Sequence, residues 1–347
     1  MNENALPAEI NTEEQLDDVL TRPSAALRQF IKSVSSPLLV LGAGGKMGPS
    51  LSILAKRAAE DAKHRLQVIA VSRFSDKKAR ETLESGGIKT ISCDLLESSA
   101  VRKLPDAANI IYLVGLKFGT AENPSATWAM NTIVPARVME RYHGARIVGL
   151  STGNVYPLSQ VSRGGSIETD PLTPLGEYPN AAVARERIFD FYSRQNKTAV
   201  SLLRLFYAVE LRYGVVVDIA RKVQSGEAID LANGYFNCIW QGDANELAIR
   251  VLSLASSPPG AWNLCRPEMF SVRAVGTRLG KLLGRAPKLS GSEAPTALLG
   301  NCGKLCAKLG SPSVPLDQML DWIAQWIKQG GRNIGKPTHF EVRDGNY

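Results

Sequence analysis

Six short runs rich in apolar residues mark the first 205 positions: Leu38 to Leu41, Val68 to Val71, Lys89 to Cys93, Asn109 to Val114, Ala145 to Leu150 and Ala199 to Leu205. Each is short enough to be a strand. Between them lie segments with helical periodicity, one running on through Ala62, one over Thr127 to Tyr142 and one from about Pro179 to Gln195. Short buried strands alternating with helices predict an α/β fold, a Rossmann-type doubly wound parallel sheet. Ahead of it, residues 1–36 read as a helical arm packed on the main domain: Thr12-Glu13-Glu14-Gln15 fits a capping box, and a second helix follows Pro23-Ser24. The sheet domain is expected over 37–206. Beyond Tyr207 the rhythm loosens into a smaller C-terminal substrate lobe, 207–330, with returns to the core around Leu247 to Ala255 and a closing helix at Leu316–Lys328. A polar tail, 331–347, carries no assigned role.

The link between the first strand and the first helix carries the clearest chemistry. It reads Gly42-Ala43-Gly44-Gly45-Lys46-Met47-Gly48, with glycines at 42, 45 and 48 in a G-x-x-G-x-x-G spacing. Glycines there permit a tight turn, let backbone N–H groups approach a pyrophosphate and let helix and strand pack closely, while the helix N-terminus favours anionic phosphate. The second strand ends in Ser72-Arg73, with Lys77 and Lys78 beyond. Sites for NAD place Asp or Glu there to hold the ribose 2′-hydroxyl, and a hydroxyl beside a guanidinium suits a 2′-phosphate instead. NADP is therefore the expected cofactor, with NAD second. Asp94, followed by Leu95 after the third strand, is placed to accept from the adenine amine.

Composition narrows the classes. Among 347 residues, 44% are hydrophobic and 21% charged, ordinary for a globular protein with a sizeable core. The net charge of +8 is scattered, with no run longer than Lys77-Lys78, unlike the focused patch of a nucleic-acid binder. Five cysteines, of which only Cys302 and Cys306 are close, and three isolated histidines (His64, His143, His339) suggest neither a disulfide framework nor a metal site. The first 20 residues are polar and acidic and no apolar run approaches about 18 residues, so neither a secretory signal nor a membrane span is expected, and a cytoplasmic location is. Trp322 and Trp326, four apart, read as core.

Several segments, in order, resemble the extended short-chain dehydrogenase/reductases, in particular the nucleotide-sugar epimerase/dehydratase group. Val114-Gly115-Leu116-Lys117 is similar to that family's cofactor-ribose segment, and Asn131 to its helix-borne Asn. Ser151 to Tyr156 is similar to the S-S/T-x-x-V-Y-G run, Glu168 to Tyr178 to the approach to the catalytic tyrosine, and Arg204-Leu205-Phe206-Tyr207 to R-x-F-N. The resemblance implies Thr152 as the orienting hydroxyl and Tyr178 as the acid/base, with Tyr178 also touching the cofactor. The family's lysine four residues after the tyrosine is Ala182 here. An unassisted phenol ionises near ~10, so another cation is needed. Two are in reach: Arg185, two helical turns on from Tyr178, and Lys117, beyond strand four. Each has a plain alternative, Arg185 as a surface charge and Lys117 as a phosphate ligand. The acidic pair of the dehydratases is absent at Gly153-Asn154, which disfavours elimination. The expected function is an NADP-dependent oxidoreductase or epimerase acting on a sugar, nucleotide-sugar or related hydroxyl or keto compound, with a non-catalytic NADP-binding regulator as the alternative. The family habit implies a homodimer through the helices after strands four and five, with Ala182, Ala184, Ile188 and Phe191 on the shared face.

Overall fold

A computed structural model describes residues 6–336 and 338–345. Its centre is a seven-stranded parallel sheet built from β1 (Leu38–Leu41), β2 (Val68–Ser72), β3 (Lys89–Ser92), β4 (Asn109–Tyr112), β5 (Arg146–Thr152), β6 (Ala199–Leu205) and β7 (Gly260–Leu264). The strand order is β7-β6-β5-β4-β1-β2-β3, so the chain reverses direction between β1 and β4 and opens a crevice at their carboxyl ends. β1, β4 and the centre of β5 are buried on both faces, which is why they read as unbroken apolar runs. This is the Rossmann-type fold expected.

Helices cover both faces. On one side lie α2 (Ala25–Ile31), α3 (Gly48–Asp61), α4 (Lys77–Ser85), α9 (Gln241–Arg250) and α11 (Gly303–Leu309). On the other lie α5 (Ser98–Arg102), α6 (Pro124–Arg141) and α7 (Glu177–Asn196). The C-terminal lobe packs α8 (Val215–Ser225), α10 (Val272–Leu283) and α12 (Leu316–Lys328) around Trp240, Trp322 and Trp326, with the first two rings 5.2 Å apart.

Four expectations need adjusting. The seventh strand escapes the apolar pattern, because its Asn263 interrupts it. That amide is fully buried and satisfied: it donates to the carbonyls of Ser166 and Asn301 and accepts from the Tyr156 hydroxyl. β5 runs on to Thr152 and β4 stops at Tyr112, so the two chemically important segments leave their strands at different heights. α7 begins at Glu177 rather than Pro179, which puts Tyr178 inside its first turn. The N-terminal arm packs on both lobes. Leu27, Ile31 and Val34 join the sheet core, whereas Ile10, Leu16 and Leu20 of the stretch around α1 (Glu13–Leu20) join the C-terminal lobe. Thr12 caps α1 by accepting from Gln15 N, and the Gln15 side chain reaches back to Asn11 N.

Behind the sheet's carboxyl edge lies a buried polar knot. Glu186 of α7 accepts from Arg204 of β6 at 2.7 Å, with side chains 3% and 5% exposed. Ser151 donates to the same carboxylate at 2.5 Å. Arg204 also donates to the Tyr156 hydroxyl and to the Glu168 carbonyl, and Glu168 accepts from Asn263 N. The knot thus ties β5, α7, β6 and β7 together. Removing one partner leaves the other charge stranded away from water. Arg204→Met should therefore cost about 3–5 kcal/mol in urea or thermal denaturation. A loss below about 1 kcal/mol, the scale of an exposed pair, would show that water reaches Glu186 and that the knot is not sealed.

Candidate active site

The glycine turn is built as the spacing requires. Gly42 has φ +82°, and a Cβ there would stand 2.9 Å from Val114 Cγ2. A Cβ at Gly48 would come within 2.3 Å of the Ala43 carbonyl, so only glycine lets α3 sit this close to the loop. Gly45 is exposed and its N–H closes the turn onto the Gly42 carbonyl. Gly44, outside the G-x-x-G-x-x-G spacing, is constrained as well, because a Cβ there would lie 2.7 Å from Ser72 Oγ. Arg73 follows as an exposed side chain at the rim. Asp94 Oδ1 accepts from Leu96 N and so shapes its own turn, while Leu95 and Met47 are buried in the core.

The Lys46 side chain turns away from the glycine loop. Its ammonium donates to the Ala208 carbonyl at 3.0 Å and sits 4.1 Å from the Tyr213 ring centre, bridging to the C-terminal lobe. Burial pulls it down to about 8. Only its backbone remains in the glycine turn.

At the carboxyl ends of β4 and β5 a cavity of about 220 Å³ is lined by Leu113, Gly115, Lys117, Leu150, Ser151, Thr152, Tyr178, Arg185 and Leu205. The sequence candidates Thr152, Tyr178, Lys117 and Arg185 therefore meet at one place. Thr152 Oγ1 accepts from Asn154 N at 3.2 Å and donates to Asn154 Oδ1 at 3.0 Å, capping the turn that follows β5. Tyr178 is 8% exposed. The Lys117 ammonium stands 5.9 Å from the centre of its ring and donates to the Thr338 carbonyl at 3.5 Å. Burial lowers Lys117 to about 8, close enough to neutrality to be chemically responsive.

Arg185 is no surface charge: it is 4% exposed. Its Nη1 donates to the Val114 carbonyl at 3.2 Å and to Asn131 Oδ1 at 2.8 Å, and would lie only 2.6 Å from a Cβ at Gly115. Asn131, fully buried, is held in turn by donating to the Thr127 and Leu116 carbonyls. Ala182 is fully buried among Val155, Tyr156 and Phe206. It cannot belong to a dimer face, contrary to expectation. The exposed apolar residues of the two helices are Trp128 and Ile133 of α6 and Phe191 of α7.

Three further residues escape sequence reasoning. Tyr213 faces Lys46 and Tyr178 from the C-terminal lobe, Asp218 stands near Lys46 and Tyr213, and Thr338 reaches in from the tail. None carries a motif, and each arrives from a distant part of the chain. Among the described residues no cluster of three or more His, Cys, Asp or Glu could hold a metal, and no helix is long and apolar enough to cross a membrane.

Comparison with known proteins agrees with this fold. The fold is similar to UDP-glucose 4-epimerase of Thermus thermophilus in complex with NAD (TM-score 0.68, 19% identity, 84% of this chain and 99% of that one). It is similar also to UDP-glucuronic acid 4-epimerase from Bacillus cereus with UDP-glucuronic acid and NAD (0.70, 17%, 84% and 99%). A third such structure is the UDP-Glc/GlcNAc 4-epimerase from Campylobacter jejuni (0.69, 18%, 85% and 100%). None of the curated proteins matches the sequence. The family model described as NAD dependent epimerase/dehydratase matches residues 38–234, more than half of the chain. With its doubly wound sheet, glycine turn and Thr152–Tyr178 cavity, the chain belongs to the NAD dependent epimerase/dehydratase family.

Proposed function

We propose that this protein is an NADP-dependent oxidoreductase or epimerase acting on a sugar, nucleotide-sugar or related hydroxyl compound. The observation that carries the reading is the meeting of Thr152, Tyr178 and the Lys117 ammonium on one cavity. The solved structures of similar fold, named as nucleotide-sugar epimerases, support that substrate class.

The crevice fits a dinucleotide. A side chain at Gly44 would fill the space against Ser72, and Arg185 Nε is buried with no hydrogen-bond partner among the described residues, a donor that a ribose hydroxyl would satisfy. When bound, the nicotinamide ring accepts or returns a hydride. The chain's own residues do the rest. Thr152 orients the substrate hydroxyl, and Tyr178 takes or returns its proton. Lys117 replaces the missing lysine by favouring the phenolate through space in a site screened from water. Arg185, tied to Val114 and Asn131, fills the room beneath Gly115 and steadies the ribose side.

The preference for NADP rests on the end of β2, where Ser72 and Arg73 stand in place of a carboxylate. Two of the similar structures hold NAD, whose 2′-hydroxyl is met in such sites by a carboxylate that this chain lacks there. A homodimer through α6 and α7 would use Trp128, Ile133 and Phe191 rather than Ala182. One observation favours the non-catalytic alternative: Ala182 itself, which breaks Y-x-x-x-K.

NADPH should bind at least tenfold more tightly than NADH, about 1.4 kcal/mol, and Arg73→Ala should erase most of that margin in fluorescence titrations. Equal affinities in the parent protein would remove the case for NADP.

A second outcome concerns pH. Lys117 is charged below its depressed value of about 8 and loses its proton as pH rises through it. Its support of Tyr178 is therefore present below about 8 and lost above. The kcat profile should fall on an alkaline limb near 8, and Lys117→Met should abolish that limb and lower kcat about tenfold or more. Tyr178→Phe should cost at least ~100-fold in kcat with NADPH affinity nearly intact. If neither variant changes turnover, the chemistry lies elsewhere.

Restoring the motif should fail. A lysine at 182 would be forced among Val155, Tyr156 and Phe206, so Ala182→Lys should lose about 1–3 kcal/mol in thermal denaturation and gain no turnover. A stable Ala182→Lys protein with raised turnover would instead support the alternative, a site that gave up its chemistry with its lysine.

A further inference from the structure

The segment from Thr338 to Gly345 lies across the crevice from one wall to the other. Thr338 N and Oγ1 both donate to Asp218 Oδ2 of α8, at 2.9 and 2.6 Å, while its carbonyl accepts from Lys117 on the opposite side. Phe340 is 1% exposed in the core of the C-terminal lobe, and Asn233 donates to its carbonyl. Arg343 donates to the carbonyls of Ala232 and Thr296 and to Thr296 Oγ1. Gly345 packs on Leu175 and Gly176, just ahead of Tyr178, so closely that a Cβ at Gly176 would stand 2.3 Å from its carbonyl.

We propose that this segment occupies the substrate subsite as a built-in competitor, and that Asp218 and Lys117 are the two groups a polyhydroxylated substrate takes over when it displaces Thr338. The inference rests on the functional reading above for the class of substrate. Thr338 presents to the crevice what a sugar presents: a hydroxyl and a second donor for a carboxylate, and an oxygen acceptor for an ammonium. Asp218 is only partly exposed and needs donors in any state of the protein, which hydroxyl groups supply and an apolar ligand does not. The space beside Tyr178, about 220 Å³, is smaller than the roughly 300–1,000 Å³ of ordinary small-molecule sites. With the segment docked, that space leaves little room for a sugar beside the reacting end of a cofactor. Docking of the segment and binding of the substrate are then mutually exclusive, and the segment's hold on Arg343 and Phe340 sets how much substrate affinity is given up.

Two altered proteins test this: a chain ending at Lys336, and full-length Arg343→Ala, which loosens the segment without touching the crevice. The first readout is the rate at which an amine-reactive reagent modifies Lys117, followed by peptide mass spectrometry with exposed Lys77 as internal standard. Modification at Lys117 should be at least tenfold faster in the shortened chain and several-fold faster in Arg343→Ala. The second is calorimetric affinity for UDP-glucose in the presence of NADPH. It should be at least tenfold tighter in the shortened chain, and Asp218→Asn in that chain should reverse most of the gain. Unchanged Lys117 reactivity in both proteins overturns the proposal, as does equal UDP-glucose affinity, or none, in the full and shortened chains. NADPH binding is measured separately. Its absence from both chains would count against the functional reading alone, since Lys117 reactivity reports the segment without any ligand.

Discussion

The buried pair of Glu186 and Arg204 is the constraint on which the site depends. It sits where β5, β6, β7 and α7 come together, directly behind Thr152 and Tyr178. A buried ion pair seldom adds net stability, because desolvation offsets most of the attraction. Here the pair is given further partners: Ser151 on the carboxylate, Tyr156 and the Glu168 carbonyl on the guanidinium. Burial pushes the Tyr156 hydroxyl up to about 12, so it stays neutral and passes the chain of bonds on to Asn263. What such a network contributes is one fixed arrangement. Slippage of α7 along the sheet would break several bonds at once, and Tyr178 would move with it.

The crevice in front of the knot is organised around cations held by carbonyl oxygens. Arg185 leans on Val114, Lys117 on Thr338 and Lys46 on Ala208. Carbonyl dipoles stabilise a charge without cancelling it, so an anionic ligand still meets a positive field. Burial costs the two lysines part of their basicity, and both are brought to about 8. Along α7 the position four residues after Tyr178 is given over to core packing at Ala182, and the cations that line the cavity are Lys117, from the loop after β4, and Arg185, about one helical turn beyond Ala182.

Both ends of the described chain clamp the two lobes. The N-terminal arm inserts Leu27 and Ile31 into one core and Leu16 and Leu20 into the other. Arg212 joins the arm to the C-terminal lobe through Glu13, Asp17 and Glu210. The tail repeats the arrangement at the mouth of the crevice, from Asp218 to Gly176. Each end is thus bound to both lobes.

Local pattern determined a great deal. Four- to seven-residue runs marked six of the seven strands; in β1, β2 and β4 the apolar content follows from burial on both faces, whereas β3 at the sheet edge stays largely exposed. The glycine spacing fixed the turn, because only glycine survives where a Cβ would strike Ala43 or Val114. Thr152 and Tyr178 were legible because their places are set within a few residues of a strand end and a helix start. Tertiary structure decided what local pattern does not encode. Asn263 looks polar and is core, since its partners Tyr156, Ser166 and Asn301 are far off in sequence. Arg185 and Lys117 were equal candidates on spacing, and only packing assigned one to Asn131 and the other to the face of Tyr178. Lys46 was drawn away from the phosphate turn by Ala208, and the tail found Asp218, more than a hundred residues away, for the same reason. A hydrogen bond or a buried charge is a property of two surfaces brought together by the fold, and neither stretch of sequence carries it alone.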